Sequence, residues 1–201
     1  VSNLNPPSEY PADFESVSAE PVAAPGPGRR VLREIIETVV LTIVIYAAVN
    51  FATGRFRIES ISMAPNLQPG QYVIVDKLSY RFGSPQRGDV VVFQYPLAPD
   101  KDYIKRIIAL PGETISIANG VVIVGGQALA EPYIASLPLQ GGTWTLGPDQ
   151  YFVMGDNRNN SSDSRSWGPL ARQYLIGKAV LVYWPPPGWG WVPHYTYASS
   201  N

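Results

Sequence analysis

Residues 35–52 (IIETVVLTIVIYAAVNFA) form an almost unbroken apolar run, which constrains this chain more than any other feature. As a helix the run is about 27 Å long, close to the roughly 30 Å hydrocarbon core of a bilayer. Glu37 and Asn50 lie near its ends, where polar groups reach the interface. A core helix of a soluble protein keeps a polar face, and this run barely has one. A cleavable signal peptide, with Ala52-Thr53-Gly54 as its cleavage site, is the other alternative. It fits less well, because a long polar segment precedes the run and the run is long for such a peptide. The sequence therefore predicts one transmembrane helix over residues 31–54. Arg29, Arg30 and Arg33 precede it against Arg55 and Arg57 after it, which favours a cytoplasmic N-terminus. Residues 1–30 carry six prolines up to Pro27 and few large apolar groups, and read as a disordered cytoplasmic tail. Residues 55–201 are left as an extracytoplasmic domain.

In that domain the pattern changes to period two with turn punctuation. Residues 71–77 (QYVIVDK), 89–95 (DVVVFQY) and 102–110 (DYIKRIIAL) each adjoin a Pro-Gly or Arg-Gly pair. Residues 114–118 and 121–124 flank Asn119-Gly120, the strongest hairpin signal in the chain. Residues 150–154 and 176–184 complete the set. With 20 Pro and 18 Gly, short strands joined by tight turns are favoured over long helices. The expectation is a mainly β, antiparallel, barrel-like or sandwich domain behind one transmembrane helix. The Trp- and Pro-rich segment 184–191 reads either as a packed terminal segment or as an aromatic patch at the membrane interface.

Composition excludes several chemistries. There is no cysteine and only one histidine, His194, so no Cys/His zinc site, disulfide or thiol nucleophile is available. The 15 basic and 16 acidic residues leave no basic excess for a nucleic-acid partner. No Gly-x-Ser-x-Gly elbow, Ser-x-x-Lys, Walker A loop or H-E-x-x-H occurs, and no cofactor or metal is expected. Polar residues concentrate instead in two places. One is residues 59–67 (ESISMAPNL), where Ser60 and Ser62 share a side if the chain is extended and Pro65 keeps Ala64 extended. The other is residues 155–165 (GDNRNNSSDSR), either a solvated loop or a hydrogen-bonded scaffold. Between them Lys105 interrupts an apolar strand. It reads either as an outward, snorkelling side chain or as an amine held against apolar surface with a lowered pKa.

The strings SISMAPNLQPG, RGDVVVF, YIKRIIALPGETI and GDNRNNSSDSRSWG resemble, in order and character, the conserved boxes of type I signal peptidases. The resemblance runs from the apolar run to Trp184. It implies a mostly β, membrane-anchored serine endopeptidase of the plasma (inner) membrane that removes signal peptides from exported preproteins, cleaving after small residues in Ala-x-Ala sequences. By position, Ser62 matches the nucleophile and Lys105 the general base. Ser60 and the backbone N–H of Ser62 match the oxyanion hole. Ser161 matches the serine that orients the lysine, and Asp163, Arg106 and Arg165 match residues that brace the site by ion pairing. Asn66 stands where the family usually has threonine. The implied partners are preproteins and membrane lipid, with a monomer expected. The alternatives are an inactive membrane-tethered homologue that serves as a scaffold, and a Ser–Lys self-cleaving repressor. The latter needs a DNA-binding domain for which the short, acidic N-terminal segment is unsuited.

Overall fold

The computed structural model describes residues 27–197; residues 1–26, most of the expected tail, lie outside them. Helix α1 (Pro27–Ala52) starts and ends earlier than expected, and β1 (Thr53–Arg57) follows it directly. Over 28–52 it is long and apolar enough to cross a membrane, with none of its most apolar stretch buried inside the protein. The chain divides into two compact units within this helix, after Ile43.

The second unit is built from β1, β2 (Tyr72–Asp76), β3 (Val90–Tyr95), β4 (Ala98–Ala109), β5 (Thr114–Ala118), β6 (Val121–Val124), β7 (Gln127–Ala128), β8 (Gly142–Thr145), β9 (Gln150–Met154), β10 (Leu170–Ala171), β11 (Leu175–Trp184) and β12 (Gly190–Trp191), with the short helices α2 (Ser79–Phe82) and α3 (Ser164–Trp167). The larger sheet has eight strands in the order β1-β2-β11-β3-β4-β9-β10, with β12 added on β11; the smaller has the order β7-β6-β5-β8. All pairings are antiparallel. The fold is therefore mainly antiparallel β behind one apolar helix, as the sequence predicts.

The apolar run VVVF at the start of β3 is continuous because both faces of that strand are covered. Val90 and Val92 pack into one core cluster with Val73, Val75 and Met63, while Val91 and Phe93 pack into another with Ile107 and Tyr151. A third cluster, around Ile115, Val122 and Phe152, lies between the smaller sheet and β9. The hairpin at Asn119-Gly120 joins Ala118 to Val121, with φ of 50° and 78° at the two turn residues. Positive φ at both central positions defines the tight hairpin turn that Asn-Gly favours.

Between β1 and β2 the chain forms a loop closed by Ile58 N–H to the Gln71 carbonyl and Gly70 N–H to the Ile58 carbonyl, both 2.8 Å. Ile58, Met63 and Leu67 anchor this loop in the core, at 3%, 0% and 1% exposure. Fixing three side chains in this way holds the intervening backbone in one conformation and presents Ser62 from a rigid support.

Candidate active site

Ser62 lies in a three-residue 3-10 turn, Ile61–Met63, preceded by extended Ser60. The turn, rather than an extended chain, brings the two hydroxyls together, with their oxygens 3.0 Å apart. Ala64 is extended, as its place before Pro65 requires. Lys105 is on β4 opposite Val91, and by strand alternation shares its face with Tyr103 and Ile107. The snorkelling alternative does not hold: Lys105 is 3% exposed and Ser62 5%. Its Nζ lies 2.8 Å from Ser62 Oγ and donates to the Ile104 carbonyl at 2.8 Å. The Tyr103 ring centroid is 5.3 Å from the same nitrogen.

Burial penalises the ammonium form and lowers the Lys105 pKa to about 8, against the opposing pull of the Asp163 and Asp156 carboxylates. The shift has a cost in stability. Between about 8 and the ordinary lysine value the unfolded chain holds a proton that the folded chain lacks, so stability rises with pH across that window. Below it the fold carries a buried ammonium at a cost on the order of 3 kcal/mol. Lys105→Met, which fills similar space without a charge, is expected to raise the melting temperature at pH 7 while removing any basic function. A lower melting temperature would show that the amine's hydrogen bonds outweigh its desolvation.

The polar segment 155–165 is a scaffold rather than a solvated loop. Asp156, Arg158, Asp163, Ser164 and Arg165 are all buried. Asn157 N–H donates to the Ser62 carbonyl at 3.0 Å, and its side-chain amide to the Ile61 carbonyl at 3.2 Å. Arg165 donates to both oxygens of Asp163 at 2.8 Å, and Asp163 also accepts the Gly155 N–H at 3.0 Å. Arg106 does not join that pair. Its Nε and Nη2 donate to the two oxygens of Asp156 at 2.8 and 2.7 Å. Asp156 also accepts the Asn66 amide at 2.8 Å, a bond that ties the Ser62 loop to this network. Arg158 pairs with Glu131 and donates to the Gly155 carbonyl. Asp156, Arg158 and Glu131 are thus parts of the scaffold that the sequence reading did not single out. The order of residues in a polar string carries no sign of which carboxylate meets which guanidinium.

The hydrogen bond expected between Ser161 and Lys105 is not made. Ser161 Oγ is buried with no hydrogen-bond partner, and the amine is occupied by Ser62 and the Ile104 carbonyl. Ser161 sits instead over Gly155: a Cβ there would lie 2.3 Å from Ser161 Oγ and 2.4 Å from the Ser62 carbonyl oxygen. Glycine is what allows these two segments to approach. His194, the one imidazole, has both ring nitrogens on main-chain groups, Val90 N–H and the Ala179 carbonyl. Among the described residues no group of three His, Asp or Glu side chains is placed to hold a metal ion.

A groove of about 610 Å³ runs past Ser62 and Lys105, with Phe56, Ile58, Val73, Val92, Tyr103 and Ile104 in its walls. A buried hydroxyl within hydrogen-bond reach of an amine of lowered pKa, beside a groove with both apolar and polar walls, is suited to nucleophilic attack on a carbonyl held there.

The family model described as signal peptidase, peptidase S26, matches residues 32–184. Signal peptidase I of Leptolyngbya laminosa is 40% identical, covering 83% of this chain and 87% of that protein. The probable signal peptidase I-1 of a Synechocystis strain is also 40% identical, covering 85% and 91%. Signal peptidase I of Mycobacterium tuberculosis is 34% identical over 89% of this chain and 82% of that one. With the model matching most of the chain and the relatives aligned over most of both lengths, the chain belongs to the peptidase S26 family of signal peptidases.

Proposed function

We propose that this chain is a membrane-anchored endopeptidase that removes signal peptides from preproteins by a Ser62–Lys105 dyad. The observation that carries this reading is the 2.8 Å approach of Lys105 Nζ to Ser62 Oγ. Serine is a poor nucleophile until a base takes its proton, and lysine is a base near neutrality only when its pKa is lowered. Neutral Lys105 accepts the Ser62 proton as Oγ bonds to the scissile carbonyl carbon, while its own N–H stays on the Ile104 carbonyl. The ammonium returns that proton to the leaving amine as the C–N bond breaks. Lys105 then takes a proton from water, whose oxygen attacks the acyl-enzyme, and gives it back to Ser62 as the carboxylate leaves.

The developing oxyanion is held by the Ser62 N–H, near the start of a turn whose first donors have no partner within it, and by the Ser60 hydroxyl. Losing one donor of this kind costs about 10²-fold in turnover. Ser60→Ala is therefore expected to cut kcat by about that factor, with KM little changed and residual activity kept by the backbone donor. Complete loss would make Ser60 part of the proton path, and full activity would remove it from the site.

The apolar side chains Ile58, Val73, Val92 and Ile104 in the groove wall favour small residues at the first and third positions before the cut by steric exclusion. Helix α1 anchors the enzyme in the plasma membrane beside substrates held there, with the N-terminus cytoplasmic and the catalytic domain outside. The test is incubation of detergent-solubilised full chain with a preprotein, followed by sequencing of the new N-terminus. Cleavage after an Ala-x-Ala sequence, absent with Ser62→Ala, supports the reading. An unchanged preprotein would favour a scaffold role instead.

A further inference from the structure

Beyond β12 the chain doubles back over the domain as a strap, residues 192–197, past the end of the family match at residue 184. Its contacts are those of a built element. Val192 is 2% exposed in the core, and its N–H donates to the Val180 carbonyl at 3.0 Å. His194 Nδ1 accepts the Val90 N–H at 3.2 Å and Nε2 lies 2.9 Å from the Ala179 carbonyl, so Nε2 carries the proton of a neutral ring. Burial, with Lys178 nearby, lowers this imidazole's pKa to about 4, which keeps it neutral at working pH. Tyr197 Oη donates to the Ala130 carbonyl at 2.8 Å.

The strap converges on Arg106, the residue after Lys105. Arg106 is 0% exposed. Its Nη1 donates to the carbonyls of Gly88 and Pro193, both 2.8 Å, and its guanidinium carbon lies 5.1 Å from the Tyr195 ring and 4.3 Å from the Tyr133 ring. The approach leaves no room for a side chain on the facing turn: a Cβ on Gly88, whose φ is +90°, would stand 1.8 Å from the Tyr195 carbonyl oxygen. On its other edge Arg106 grips Asp156, which holds Asn66 of the nucleophile loop.

We propose that the strap is a positioning element for the Ser62–Lys105 pair: the Pro193 carbonyl and the Tyr195 ring hold Arg106, His194 pins the strap to β3 and β11, and Arg106 in turn holds the Lys105 strand and the nucleophile loop in reactive register. It rests on the dyad reading above. With the strap in place Arg106 is dry, offsets the Asp156 charge and keeps water from the back of the Lys105 strand. With it loosened, water reaches Arg106 and Asp156, and Lys105 regains part of its ordinary basicity. The other groups near Lys105 do not change: Asp163 stays paired with Arg165, and Tyr103 stays beside the amine.

The test is the pH dependence of kcat/KM of the full chain on a preprotein, which reports the base in the free enzyme. Each variant is assayed well below its own melting temperature. Tyr195→Leu keeps apolar bulk and removes the aromatic face; His194→Ala unpins the backbone. Each is expected to raise the midpoint of the pH profile by about one unit and lower kcat more than KM is altered. Tyr195→Phe, which keeps the ring, is expected to restore the parent profile. Leu170→Ala, in the cluster with Tyr151 and Val153 rather than under the strap, serves as a control that lowers the melting temperature without moving the midpoint. Strap variants that lose melting temperature but keep the parent midpoint would overturn the proposal. Ser62→Ala in the same assay separates the two readings. If it is inactive while the strap variants behave like the parent, the strap proposal alone fails; if it cleaves normally, the dyad reading fails first.

Discussion

Ser62→Ala and Lys105→Ala are each expected to lower the cleavage rate by about 10⁴-fold or more, and the double substitution to be no worse than either single one. Groups that act in one step are strongly non-additive, because removing either leaves the other without a task. The 2.8 Å contact between Nζ and Oγ makes these two side chains one such unit. Lys105→Arg is expected to be equally inactive, since a guanidinium stays protonated and cannot accept the serine proton. Multiplicative losses in the double substitution, measured under single-turnover conditions, would mean that the two side chains act in separate steps.

Asp156→Ala carries the largest expected effect on stability. Asp156 and Arg106 are both fully buried, and removing the carboxylate strands a guanidinium in the interior. Breaking one side of a buried pair typically costs about 3–5 kcal/mol. Asn66 loses an acceptor as well. Thermal unfolding of the variant is expected to show that loss, and a change within about 1 kcal/mol would mean that water replaces the carboxylate freely. The pair Arg33–Glu37 on α1, with side chains 80% and 59% exposed, is expected to contribute far less.

Strands with a two-residue period or a continuous apolar run were legible from residue types alone, and the Asn119-Gly120 hairpin lies where its dipeptide places it. β1 was not, because TGRFR continues straight from the helix, and its two arginines and Gly54 interrupt any period-two apolar pattern. β8 and β12 are short, glycine-containing and exposed over most of their length, so no burial pattern announces them. In the site, the identities of Ser62 and Lys105 came from motif resemblance, while their meeting across 43 residues is a property of the sheet. The ion pairs illustrate a physical limit. Charged strings ordinarily face water, and only three-dimensional pairing reveals that Arg106 meets Asp156 while Arg165 meets Asp163. The strap was hidden for a similar reason: its main tie to the site is a proline carbonyl, which any residue could supply.

The central claim is that Lys105 is neutral when it meets Ser62, and titration of its amine in the full chain tests this most directly. With lysines labelled at Cε, the Lys105 signal is assigned by its loss in Lys105→Arg. Its midpoint is expected near 8, together with the midpoint of kcat/KM for preprotein cleavage. An amine that titrates near the ordinary lysine value of about 10.4, in an enzyme already at full rate at pH 8, would contradict it.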